Sequence, residues 1–140
     1  MIALLLACSH EVTLDSEVTV PAGLLAEISW PHRVILGFEI PGTLHNQISL
    51  GEICEPSTED LVLIHSVTRT GCAQAGTVLA WLEPASTDAS CELSAGSWEA
   101  LTEPPQGVPQ AVADIFEGDR CRSGIADIWL TLGYETASQD

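Results

Sequence analysis

Apolar residues recur at every second position through most of this 140-residue chain, and a period of two belongs to strands with one face in a core and the other in water. Val12, Leu14, Val18 and Val20 share one parity around Asp15 and Glu17, and Pro21-Ala22-Gly23 supplies a turn. Leu24, Ala26, Ile28 and Trp30 alternate with Glu27 and Ser29 up to Pro31. Val34, Leu36, Phe38 and Ile40 form a cleaner stripe opposite Gly37 and Glu39, closed by Pro41-Gly42. Each pattern predicts a half-buried strand.

Ile48 and Leu50 continue the series, and Leu61, Val62, Leu63, Ile64 and Val67 form a run apolar on both faces, which predicts a central strand. Thr77 to Leu82, with Trp81, is the next run. In Ile125 to Leu132, residues Ala126, Ile128, Leu130 and Leu132 face one way, and Asp127 and Trp129 the other. Short strands punctuated by Pro, Gly, Asp and Ser predict an all-β fold, an antiparallel immunoglobulin-like β-sandwich of about seven strands. Pro109 to Glu117 reads as one short helix, from the proline at its first position, the spacing of Val112, Ile115 and Phe116, and the stop at Gly118, and equally as a further alternating strand; the helical turn is the favoured expectation. The stretch from Glu83 to Gly107 is the expected long irregular region. The length suits one domain with a real core.

Twenty acidic residues stand against Arg33, Arg69, Arg120 and Arg122, with no lysine, for a formal charge of −16. Such a surface repels phosphate backbones and anionic head groups, which argues against nucleic-acid partners and peripheral lipid binding. The acidic residues are dispersed, as on a solvated surface. Their densest cluster is Glu55, Glu59 and Asp60, and neither it nor Glu117-Gly118-Asp119 forms a calcium loop.

Cys54, Cys72, Cys91 and Cys121 are an even set, sufficient for two disulfides in an oxidising compartment. No two lie at zinc-site spacing. Of the three connectivities, chain proximity favours Cys54 with Cys72 and Cys91 with Cys121; pairing Cys54 with Cys121 would staple distant strands instead.

Catalytic constellations are missing from the sequence: no nucleophile elbow, phosphate loop, dinucleotide turn or zincin helix occurs. His10, His32, His45 and His65 are scattered. His65 shares parity with Leu61, Leu63 and Val67, which reads as a hydrogen-bonded core histidine. The sharper alternative is a copper or zinc site formed with His10 or His45 across neighbouring strands. Trp30 and Trp81 read as core, and Trp98 and Trp129 as exposed platforms for a sugar or a partner protein.

The chain opens Met1-Ile2-Ala3-Leu4-Leu5-Leu6-Ala7-Cys8, and Leu5-Leu6-Ala7-Cys8 resembles the lipobox of bacterial lipoproteins. That resemblance implies that residues 1–7 are the tail of a signal peptide, that Cys8 carries the acyl anchor with Ser9 after it, and that residues 8–140 are the mature domain. The bland alternative for Ile2 to Ala7 is a buried first strand. The run is far short of the ~20 apolar residues of a spanning helix, so membrane association would be by acyl chains alone.

The expected function is a non-enzymatic, lipid-anchored interaction or structural module of the bacterial cell envelope, on the periplasmic or surface face of the outer membrane, with no cofactor and another envelope protein as partner. A metal- or ligand-binding domain is the alternative. An exported hydrolase using carboxylates such as Glu39 or Asp127 is the third reading.

Overall fold

The computed structural model describes residues 10–27, 31–85, 91–117 and 121–134. The expected all-β sandwich is present. Its strands are β1 (Glu11–Val20), β2 (His32–Glu39), β3 (Asn46–Ile53), β4 (Leu61–Thr70), β5 (Gly76–Pro84), β6 (Trp98–Ala100), β7 (Gln110–Ile115) and β8 (Gly124–Thr131), with one helical turn, α1 (Ala22–Leu25). A three-stranded sheet in the order β4-β1-β8 packs on a five-stranded sheet in the order β6-β3-β2-β5-β7. Val12, Leu14, Val18 and Val20 of β1 are buried against Val34, Leu36, Phe38, Val78, Ala80 and Leu82 of the facing sheet, as the alternation requires.

One pairing departs from the wholly antiparallel expectation: β1 runs parallel to β8, from Val12 opposite Gly124 to Thr19 opposite Thr131. Parallel partners need a long crossover, and here almost the whole chain lies between them.

The five-stranded sheet is buried on both faces at its centre. Ile35 and Trp81 are fully buried yet lie outside the inter-sheet core, because their parity points them to the outer face. There the segment 101–109 crosses the sheet. Thr102 donates to Gln47 Oε1 from its backbone N–H at 2.8 Å and its hydroxyl at 3.0 Å, and Leu82 N–H donates to the Pro109 carbonyl at 3.0 Å. Leu101 lies so close over Gly37 that a Cβ there would meet its Cδ1 at 2.8 Å. Trp81 Nε1 donates to Glu83 Oε1 at 2.6 Å, and the other Glu83 oxygen accepts from Arg33 Nε at 2.8 Å, so the buried indole keeps its hydrogen bond.

Strand β3 is bulged where Val34 pairs with Gly51 and Ile35 with Ser49. The extra residue, Leu50, shifts the parity, so Ile48, Leu50 and Ile53 all reach the core despite their odd spacing. Gly51 has φ +144° and meets backbone: an added Cβ would stand 2.6 Å from Leu93 Cα.

Several expectations are corrected. Pro109–Glu117 is not a helix: β7 pairs antiparallel with β5 from Gly76 opposite Ile115 to Trp81 opposite Gln110. A helix that short is marginal alone, whereas the strand gains a ladder and packs Ala111, Ala113 and Ile115 on the core. Leu24 and Ala26 are not in a strand, because Pro21 opens α1 and accepts from Leu24 N–H at 3.0 Å, burying Leu25; Ile28 and Trp30 lie outside the described residues. Within the expected irregular stretch, Ser86 to Ser90 also lie outside them, while β6 and the 101–109 cover give the remainder a definite place.

The disulfides are Cys54–Cys91 and Cys72–Cys121, with Cα–Cα distances of 5.5 and 4.5 Å. Neither the proximity pairing nor Cys54 with Cys121 occurs. Proximity in sequence is the wrong guide because β1 lies between β4 and β8, bringing the end of β4 and the start of β8 to one end of the small sheet. Cys54–Cys91 instead lashes the segment after it to β3, where Glu52 N–H donates to the Glu92 carbonyl and Gly96 N–H to the Ser49 carbonyl, both at 2.8 Å.

Candidate functional site

The outer face of the three-stranded sheet is set by its two registers. Ile64, Glu17 and Trp129 form one row across β4, β1 and β8, Ser66, Asp15 and Asp127 the next, and Thr68, Thr13 and Ile125 a third. Neighbours in a row are about 5 Å apart. Ile64, Ile125 and Trp129 are 77%, 72% and 69% exposed, so the apolar side chains of these rows stand in water.

Here the run Leu61 to Val67 is corrected: β4 is an edge strand, and the even positions Val62 and Ile64 face solvent. The signal was legible further along the same strand, since Ser66, Thr68 and Thr70 hold that parity with polar residues. Trp129 is exposed, as expected.

The face is also acidic. Glu17 stands between Ile64 and Trp129, and Asp15 beside Asp127. Ser66 Oγ donates to Asp15 Oδ1, and Thr13 and Thr68 hydroxyls meet at 3.0 Å. No arginine or histidine of β4, β1 or β8 shares this parity. Two carboxylates at about 5 Å repel by roughly 1 kcal/mol even at the dielectric of water, and a cationic surface laid on the sheet would relieve that repulsion.

A second cluster lies on the inner side of β4, at the seam with β6. Trp98 is half-buried against the core, so it is not the exposed platform expected; its ring centroid is 5.9 Å from Phe38 and 5.7 Å from His65. The Arg69 guanidinium stands 5.2 Å over the same ring. Burial, and then the charge of Arg69, hold His65 below the ordinary histidine pKa. Its Nδ1 is buried without a protein hydrogen bond, and so is Oγ of Ser16, its partner across the β1–β4 pair. The histidine expected to be hydrogen-bonded in the core is therefore a neutral, half-buried ring against an indole.

The metal candidates are not brought together. His10 precedes β1, and its carbonyl accepts from Gly71 N–H at 3.0 Å; His45 lies between β2 and β3, with Nε2 3.8 Å from Glu39 Oε1. Among the described residues no three His, Cys, Asp or Glu side chains form a group that could hold a metal ion. Cys8 and the Leu5–Ala7 lead-in lie outside the described residues. Glu39 ends β2, and Asp127 lies on the outer face of β8 in the opposite sheet, so the two carboxylates offered for hydrolysis share no cleft.

One cleft, of about 660 Å³, is lined by Leu25, Ile53, Leu61 and Leu93 together with Glu55, Glu59 and the Cys54–Cys91 bridge. Asp60 there is engaged, accepting from Ala22 N–H at 2.8 Å. Among the described residues no helix is long and apolar enough to cross a membrane. No protein-family model, curated protein or solved structure matches the chain.

Proposed function

We propose that the chain is an exported, lipid-anchored, non-enzymatic interaction module of the bacterial cell envelope, and that it docks a basic protein surface on the outer face of its three-stranded sheet. The observation that carries this reading is the exposed row Ile64, Glu17 and Trp129 beside Asp15 and Asp127. Aromatic and apolar anchors ringed by charge are the makings of a docking patch, and the sign of the charge selects the partner. Two disulfides support an oxidising compartment, and the Leu5-Leu6-Ala7-Cys8 start supports an acyl anchor on Cys8.

A photo-crosslinking amino acid in place of Trp129, in cells of the native host, is expected to trap one envelope protein with a basic contact face. The same probe at Val112, exposed on β7 of the other sheet, is expected to trap none. Asp127→Asn and added salt should both reduce the adduct. Equal labelling at Trp129 and Val112, or an adduct indifferent to salt, overturns the docking reading. Mass spectrometry of the mature N-terminus tests the anchor separately: an acylated Cys8 supports it, and an intact Met1 removes it.

A further inference from the structure

We infer that β4 is a self-association edge: it pairs antiparallel with β4 of a second copy, joining two three-stranded sheets into one of six strands. This deepens the interaction-module reading and rests on it, since a paired sheet would present the docking rows twice on one continuous surface.

The first observation is the distribution of charge. β4 reads LVLIHSVTRT, and it is the one strand of the eight described that carries no carboxylate. In a chain of twenty acidic residues, its only ionic group at neutral pH is Arg69. The second is position. Among the described residues the two sheets have four edges, β4, β8, β6 and β7. β6 is three residues long and carries Glu99, and β7 carries Asp114. β8 carries Asp127, and the chain just beyond it bridges Gln110 of β7 through Gly133.

Among the described residues β4 has none of these protections. It is ten residues long and pairs with β1 without a bulge from Leu61 to Thr70. It contains no proline or lysine, the residues with which native edges usually block strand addition. Its outer face begins with exposed Val62 and Ile64.

Face parity restricts the register. Residues directly opposite each other in an antiparallel pair point to the same side, so an even position must meet an even one. Setting Ile64 opposite Ile64 of the second copy does this, with Val62 opposite Ser66 and Leu63 opposite His65. The apolar pair then sits on the two-fold axis.

Two copies of charge −16 repel at a distance, and geometry determines how much of that survives at contact. Glu17 is one strand in from β4, so the two Glu17 side chains stand three strand spacings apart, about 14 Å at ~4.8 Å each. That exceeds the Debye length of about 8 Å at physiological ionic strength. The pairing is therefore permitted there and opposed at low salt, the reverse of what holds for a basic partner.

Sedimentation of the full chain in about 0.02 M and about 0.15 M salt tests this. A dimer whose dissociation constant falls several-fold with added salt is expected. Ile64→Asp, which sets like charges directly opposite each other, should raise that constant about tenfold or more. Ile125→Asp, on the other edge strand, should leave it unchanged. Hydrogen exchange locates the contact: β4 amides should slow as protein concentration rises, and β8 amides should not. A chain monomeric in both salts up to about 1 mM, a dimer weakened by salt, or one dispersed by Ile125→Asp and not by Ile64→Asp, overturns the proposal. A salt-sensitive Trp129 adduct on a monomer would remove the self-pairing alone. A salt-strengthened dimer without such an adduct would remove the docking reading alone.

Discussion

The two sheets carry the same outward pattern and meet different fates. On the five-stranded sheet, Ile35 and Trp81 point away from the inter-sheet core and are nevertheless fully buried, because the segment 101–109 lies over them. On the three-stranded sheet, Ile64, Ile125 and Trp129 point outward and stay in water. The first outer face is a second core, held by Leu101, Gln47 and the Arg33–Glu83–Trp81 chain of polar contacts. Apolar residues on the second stay exposed and so contribute little to folding.

The largest test of that contrast exchanges one tryptophan on each face for alanine. Trp81→Ala removes a fully buried indole and should cost about 3–5 kcal/mol. Trp129→Ala should stay within about 0.5 kcal/mol of the parent. Urea unfolding measures both. Equal losses would mean that the outer face of the small sheet is structurally engaged after all.

The next effect concerns how the small sheet is held. Cys72–Cys121 closes a sequence separation of 49 residues and ties the end of β4 to the start of β8. Replacing both cysteines by alanine should cost about 2–4 kcal/mol, chiefly through the freed unfolded chain. The thermal midpoint should fall accordingly. A change near zero would show that the ladder of β1 with both neighbours suffices alone.

Smaller effects probe the interior polar pair that distinguishes β4 and β1 from the facing sheet. Ser16 Oγ is buried without a protein partner, so Ser16→Ala should raise stability by up to about 1 kcal/mol, read as a higher urea midpoint. A loss would reveal a hydrogen bond that the hydroxyl makes in solution.

Smallest is the pH term. His65 is held below its ordinary pKa of 6.5 by burial and by Arg69. The unfolded chain therefore binds this proton more readily than the folded one. The contribution of the neutral ring is fully present above about pH 6.5 and is lost as pH falls through that value toward the lower folded pKa. Comparing urea midpoints at about pH 7.5 and about pH 5.5 for the parent and His65→Gln should show a larger acid loss in the parent. Identical slopes would place the imidazole in free contact with water.

Much of the fold was legible locally. The inward parity of β1 and β8 could be read residue by residue, since Val12 and Ile128 sit in stripes broken by Thr13, Asp15, Glu17 and Asp127, and that of β2 from Val34, Leu36 and Phe38 opposite Gly37 and Glu39. At β7 both periods are present, since Val112, Ile115 and Phe116 satisfy a helix as well as Ala111, Ala113 and Ile115 satisfy a strand, and only the open edge of β5 decides between them. Gly51 and the bulge at Leu50 left no mark in the pattern. Of the exposed outer face of the small sheet, Trp129 was legible from its parity beside Asp127, while Ile64 was hidden inside an apolar run with the pattern of a doubly buried strand.

The sequence by itself determined that this chain forms strands and which side chains of β1 and β8 turn inward, and its cysteines that two thiol pairs were available. The tertiary structure alone decided that β4 is an edge, that one outer face is roofed and the other bare, that β1 lies parallel to β8, and that Cys54 meets Cys91 and Cys72 meets Cys121. The reason is one of range. A side chain's face is set by its own backbone and the residues beside it, whereas a strand's neighbours are set by contacts between segments tens of residues apart, which no local period encodes.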